Sequence, residues 1–267
     1  MLTVGIAGLG AIGLTLAKAL DAGVEGLRLV AVAARDRDKA RAAVAGFASP
    51  PVVTDVADLA GLADVVVEAA PAAAFEAIVS PAIEAGRIAV VSSVGALLPR
   101  MQLVERARET GARIIVPTGA LLGLDAVRAA AEGKVESVTL VTRKPPRGLA
   151  GAPYLEQHGI DVTTITTPTR VFAGSAREGA IGFPANVNVA AALALAGIGP
   201  DRTRLEIWAD PTVTRNTHTV TVEADTVRLT MTIENVPSEE NPRTGKITPL
   251  SLLACLRGLT ATLKVGT

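Results

Sequence analysis

Short apolar runs alternate with amphipathic stretches through the first 117 residues. LTVGIA (2–7), LRLVAVAA (27–34), DVVVEAA (64–70), IAVVSS (88–93) and RIIVP (113–117) are brief and continuous in their apolar character. Between them, AIGLTLAKALDA, RDKARAAVAGF, AAAFEAIVSPAIEAG and LLPRMQLVERARETG carry apolar residues at helical spacing. Strands that are apolar on both faces, alternating with helices, predict a parallel sheet covered on both sides. After Gly119 the rhythm changes. GLDAVRAAAEG and PANVNVAAALALAG read as helices, while VESVTLVTRK, TRVFAGS, RLEIWAD, NTHTVTVE and TVRLTMTIEN are rich in Thr and Val, as strands are. These strand runs predict a second domain of α+β type with a mixed or antiparallel sheet. The domains are expected over 1–119 and 120–244, with a last helix in 245–267, PLSLLACLRGLTATL, returning to the first. VPSEENPRTGK (236–246) is polar and rich in turn formers, and reads as a loop.

Composition narrows the function. Lys and Arg number 26 and Asp and Glu 26, so no basic surplus exists to neutralise a phosphate backbone or to hold an anionic membrane. Only 2% of residues are aromatic, too few for base-stacking platforms. Neither nucleic acid nor membrane is an expected partner. A single cysteine, Cys255, excludes an intrachain disulfide and a multi-cysteine metal site. No charged leader precedes LTVGIA, and a cytoplasmic protein is expected.

Gly8-Leu9-Gly10-Ala11-Ile12-Gly13 follows the first strand and opens the first helix, the context in which G-x-G-x-x-G binds a dinucleotide. Gly8 allows the tight turn, Gly10 the approach of a pyrophosphate, and Gly13 close helix packing, while the helix N-terminus offers N–H donors to the anion. The first domain is therefore a Rossmann-type α/β sheet. An acidic residue at the end of the second strand would select NAD by binding the ribose 2′-hydroxyl. That place falls on Ala34 or Arg35, with Asp36 as the carboxylate still able to reach a ribose. Both NAD and NADP are expected, with Arg35 facing a 2′-phosphate. Ala69 and Ala70, after Glu68, are expected to line the adenosine side.

Chemistry falls to the second domain and to few residues. His158 in EQHGI sits in a turn beside glycine and is expected at the surface. His218 in RNTHTVTVE shares one face of a strand with Asn216, Val220 and Val222. An imidazole there suits proton transfer near neutral pH.

GIAGLGAIG, PTGALLGLDAVRAA, TRKPP, FPANVNVAAALALAG, ADP followed by NTHTV, and IENVPSEENPRTGK together resemble the L-aspartate dehydrogenases over essentially the whole length. The resemblance implies NAD(P)-dependent oxidative deamination of L-aspartate to iminosuccinate and then oxaloacetate, with a link to NAD biosynthesis. The apolar sheet of the second domain is a candidate dimer surface, and a homodimer is expected. It implies that His218 is catalytic and that Ala120 and Asn188 contact the nicotinamide cofactor, leaving Asn186 to cap the helix. Asn216 or a backbone carbonyl is expected to fix the imidazole tautomer. Arg143, Lys144 and Asn216 are expected at the substrate. Members of the family often carry Asp near Ala34, a departure that bears on cofactor preference rather than on the reaction. A homoserine dehydrogenase-like or dihydrodipicolinate reductase-like enzyme, and a non-catalytic NAD(P)-binding redox sensor, are the alternatives.

Overall fold

The computed structural model describes residues 1–238 and 245–266. They divide into two compact units, Met1–Pro117 with Thr248–Val265, and Thr118–Ile247 with Gly266. The first unit holds six strands, β1 (Leu2–Ala7), β2 (Leu27–Ala33), β3 (Val52–Thr54), β4 (Val65–Glu68), β5 (Ile88–Val91) and β6 (Arg113–Ile115). All pair in parallel, in the order β3-β2-β1-β4-β5-β6. Six helices connect them: α1 (Ala11–Asp21), α2 (Arg37–Val44), α3 (Leu59–Leu62), α4 (Phe75–Glu84), α5 (Val94–Leu97) and α6 (Gln102–Thr110). Val4, Ile6, Val65, Val67 and Val90 are fully buried, which explains why these strands read as unbroken apolar runs. The order reverses between β1 and β4, where their C-terminal ends leave the crevice in which open α/β sheets take ligands. β3 is a strand that the apolar pattern does not show. It is three residues long, lies at the sheet edge behind Pro50-Pro51, and leaves Val52 58% exposed.

The second unit holds β7 (Val135–Lys144), β8 (Thr169–Ser175), β9 (Thr203–Ala209), β10 (Asn216–Ala224) and β11 (Arg228–Asn235), ordered β11-β10-β7-β9-β8. β7 and β9 are parallel and every other pair is antiparallel, so the sheet is mixed. Its helices are α7 (Leu124–Ala131), α8 (Pro153–Gln157), α9 (Ala176–Gly182) and α10 (Asn188–Ala196). Val138 and Leu140 of β7 and Val220 and Val222 of β10 are wholly buried, while Thr139, Val141, Thr219 and Thr221 between them stay half-exposed. The period of two thus separates an inner face from an outer one. α10 buries Ala190 to Ala194 in succession, as a helix surrounded by protein does. Small residues bring helix and sheet close: a Cβ on Gly179 of α9 would lie 2.4 Å from Cδ2 of Leu205.

The last helix, α11 (Ile247–Gly258), sends Leu252 and Leu256 into the core of the first unit, with Cys255 half-buried beside them. Burial raises the Cys255 thiol to about 11, so it stays protonated and acts as an apolar side chain. The loop expected over 236–246 lies for the most part outside the described residues; Pro237 and Gly245 form an isolated bridge.

Candidate functional site

The glycine motif is built as an anion cradle. Gly8 has φ +96°, and a Cβ there would strike the carbonyl oxygen of Ala69 at 2.5 Å, so β1 and β4 meet closely at the reversal of strand order. A Cβ on Gly13 would lie 1.8 Å from the carbonyl oxygen of Gly8. Gly10 is different. It is exposed, caps α1 with no side-chain hydrogen bond, and a Cβ on it would meet nothing within 4 Å. The first turn of α1 carries no acidic residue, so its N–H groups and positive dipole end face open space that suits a diphosphate. The N–H of Gly8 donates to Ala33 at 2.7 Å, which ties the end of β2, and Arg35 just beyond it, to the same edge. Arg35 is exposed there. Asp36, the carboxylate left to reach a ribose, instead caps α2 by accepting from the N–H of Lys39 at 2.9 Å.

Beside the cradle, Glu68 ends β4 completely buried. Its carboxylate accepts from the N–H groups of Ser92 (3.0 Å) and Ser93 (2.8 Å) and from the Ser93 hydroxyl (2.9 Å). Burial raises its pKa, against the opposing hydrogen bonds from Ser93 and Ser92. Glu68 thereby locks the ends of β4 and β5 together, a role that reading Ala69 and Ala70 alone missed. The only sequence signal is an acid closing a continuous apolar strand.

In the second unit, the inner sheet face turns polar at one end. His218 is 3% exposed and pairs across the strands with Thr142 of β7 and Ile233 of β11. Nδ1 of its ring lies 3.1 Å from Oγ1 of Thr142, which leaves Nε2 for a ligand. One step along the same face come Lys144 and Asn216. Lys144 is 6% exposed and donates from Nζ to Oδ1 of Asn186 at 2.5 Å. Asn235, paired with Asn216, donates from Nδ2 to the carbonyl of Ala120 at 3.0 Å.

Residues 8–117 match the family described as homoserine dehydrogenase, NAD binding domain. Residues 125–259 match the family described as aspartate dehydrogenase, C-terminal. An L-aspartate dehydrogenase of Bradyrhizobium diazoefficiens is 58% identical over 100% of this chain and 94% of its own length. This chain belongs to the L-aspartate dehydrogenase family. L-aspartate dehydrogenase 3 of Bordetella bronchiseptica is 52% identical over 100% of this chain and 98% of the relative. The crystal structure of an aspartate dehydrogenase from Thermotoga maritima matches with a TM-score of 0.76 at 25% identity, covering 100% of both chains. Among the described residues, no helix is long and apolar enough to cross a membrane and no cluster of His, Cys, Asp and Glu could hold a metal ion.

Not every residue expected at the substrate of this aspartate dehydrogenase family member comes to one place. Arg143 pairs with Thr217, on the outer face and away from His218. Its guanidinium donates to Asp210 at 3.1 Å and lies 4.6 Å from the centroid of the Trp208 ring. Period-two alternation makes this unavoidable, since Lys144 points inward and its neighbour cannot. Burial opposes the charge of Asp210, but hydrogen bonds from Thr212 and Arg143 outweigh it and hold the carboxyl below its ordinary value. The imidazole partner is likewise Thr142, rather than Asn216 or a backbone carbonyl. Asn186 does not cap α10. Val187 holds the cap position with no side-chain bond, Asn188 is the exposed first residue of the helix, and Asn186 takes Lys144. His158 is exposed, stacked 3.9 Å from the Tyr154 ring.

Burial, and secondarily the charge of Lys144, lower the pKa of His218 from 6.5 to about 3. Between those values the unfolded chain binds a proton that the folded chain refuses. Stability is therefore lost as pH falls through this window. His218→Gln should flatten the difference in denaturation free energy between pH 6.5 and pH 4 relative to the parent. Parallel curves for the two proteins in urea titrations would show that this imidazole is not the group responsible.

Proposed function

We propose that this protein oxidises L-aspartate to iminosuccinate, which water converts to oxaloacetate and ammonia, with NAD or NADP as the oxidant. One observation carries the reading beyond kinship: a buried neutral imidazole and a buried ammonium lie on adjacent rows of one sheet face. When bound, the nicotinamide supplies the acceptor for the hydride leaving Cα. Gly8, Gly10, Ala11, Ile12 and Gly13 fit the diphosphate, with Ala69 and Ala70 beside them. The resemblance assigns Ala120 and Asn188 to the cofactor as well.

Nε2 of His218 accepts a proton from the substrate ammonium. Hydride loss from Cα of the resulting neutral amine leaves an iminium, C=NH2+, which gives one further proton to water to become the neutral imine. Lys144, together with Asn216, binds a substrate carboxylate. That carboxylate offsets the charge of Lys144, which after burial is the lesser of the two causes that depress His218.

NAD(P)H formation measured with a panel of amino acids and both cofactors tests the reading. Turnover with L-aspartate is the expected result, whereas cofactor binding without turnover of any amino acid would identify a sensor. The same assay addresses the end of β2. Since Asp36 is engaged in capping α2 and Arg35 is exposed, Arg35→Ala should raise KM for NADP by about tenfold and that for NAD by less than about twofold, as expected for loss of a charge-assisted phosphate contact. Equal losses for both cofactors would remove Arg35 from the 2′ position.

A further inference from the structure

We propose that Thr142 is a positioning residue for the reaction: its hydroxyl holds His218 in the tautomer with the proton on Nδ1 and the lone pair on Nε2. The inference rests on the reading of His218 as the proton acceptor.

The row across the inner face runs Ile207, Thr142, His218, Ile233. Both outer members are aliphatic, so within this row the Thr142 hydroxyl is the polar group that can meet the ring, and it does so at 3.1 Å. Farther along β7, the inward positions are Val138 and Leu140, both fully buried. Valine would continue that series with nearly the same shape and no hydroxyl to desolvate. A threonine 4% exposed is thus an isolated polar exception on the inward face before Lys144, placed opposite the imidazole. Its branched Cβ restricts χ1, which fixes the oxygen more firmly than serine would.

The tautomer has a chemical consequence. A neutral imidazole carries one proton, and the nitrogen that holds it cannot act as a base. If the proton sits on Nε2, the ring meets the substrate as a donor and the ammonium keeps its proton. The Thr142 hydroxyl can donate to or accept from Nδ1; a base at Nε2 requires it to accept, which holds the proton on Nδ1 and frees Nε2. After Nε2 has taken the substrate proton, both nitrogens bear hydrogen, and Thr142 remains an acceptor for Nδ1–H throughout. Its lone pair therefore serves the ring before and after the transfer without moving.

The test combines spectroscopy and kinetics. Only two histidines occur, so a ¹⁵N-histidine spectrum contains two rings, and His218→Gln identifies which is which. At neutral pH the His218 ring of the parent should be the Nδ1–H tautomer, and in Thr142→Val it should shift toward Nε2–H. Thr142→Val should lower kcat by about ten- to a hundredfold with KM for L-aspartate within about threefold, and Thr142→Ser should recover most of kcat. The double variant Thr142→Val/His218→Ala should be no slower than His218→Ala alone. If the valine variant does not fold, Thr142→Cys, close in volume and weak as an acceptor, takes its place. An Nε2–H ring in the parent, near-parental kcat in Thr142→Val, or additive losses in the double variant would overturn the proposal while leaving His218 as base. Parental turnover in folded His218→Ala would instead overturn the reading beneath it.

Discussion

His218→Ala is expected to lower kcat with L-aspartate by about two to four orders of magnitude, the range for loss of a positioned acid–base group. Cofactor Kd should stay within about threefold, because the glycine cradle belongs to the first unit and His218 to the second. The competing expectation is a purely structural imidazole. Removing a ring that is 3% exposed leaves a cavity beside Ile233 and takes the partner from the Thr142 hydroxyl, which costs on the order of 2 to 4 kcal/mol. Melting temperature and kcat measured on one preparation separate the two, since a structural role lowers the first and spares the second in molecules that remain folded. A folded variant turning over at the parental rate would end the assignment of His218 to proton transfer.

The second large effect contrasts two glycines of one motif. Gly13→Ala places a methyl 1.8 Å from the Gly8 carbonyl oxygen, against backbone that cannot rotate away, and should destabilise the first unit by on the order of 3 kcal/mol or more. Gly10→Ala places its methyl in open space and should change stability by less than about 0.5 kcal/mol. That same methyl occupies the approach path of a diphosphate, so cofactor Kd should rise by about tenfold or more. Thermal denaturation and a fluorescence titration with NADH read the two effects. An unchanged Kd in Gly10→Ala would take the diphosphate away from the start of α1.

Much of this arrangement is legible along the chain because period and spacing are local. The parallel sheet follows from apolar runs alternating with helical ones, and the mixed sheet from consecutive Thr- and Val-rich runs. Parity alone groups His218 with Val220 and Val222, and both valines are fully buried. Parity also separates Arg143 from Lys144; treating both as substrate contacts overlooked a constraint already present in TRK. Other features depend on which strands become neighbours. The register that sets Thr142 opposite His218 joins residues far apart in sequence, and no local pattern specifies it. The bond between Lys144 and Asn186 is similar: an asparagine ahead of an alanine-rich helix reads as a cap until the lysine across from it is seen. β3 escaped because three residues are too few to display a period.

The division of the first unit between Met1–Pro117 and Thr248–Val265 imposes an order on biogenesis. During translation, at about 5–20 residues per second, domains fold as their residues leave the ribosome. A nascent chain that has emerged through Ile247 holds the whole second sheet, yet lacks Leu252 and Leu256, which fill the core beneath β1 and β4. The later-numbered unit therefore has its whole sheet and helices α7 to α10 first. Until α11 emerges, the first sheet lacks the two leucines, Leu252 and Leu256, that complete its core.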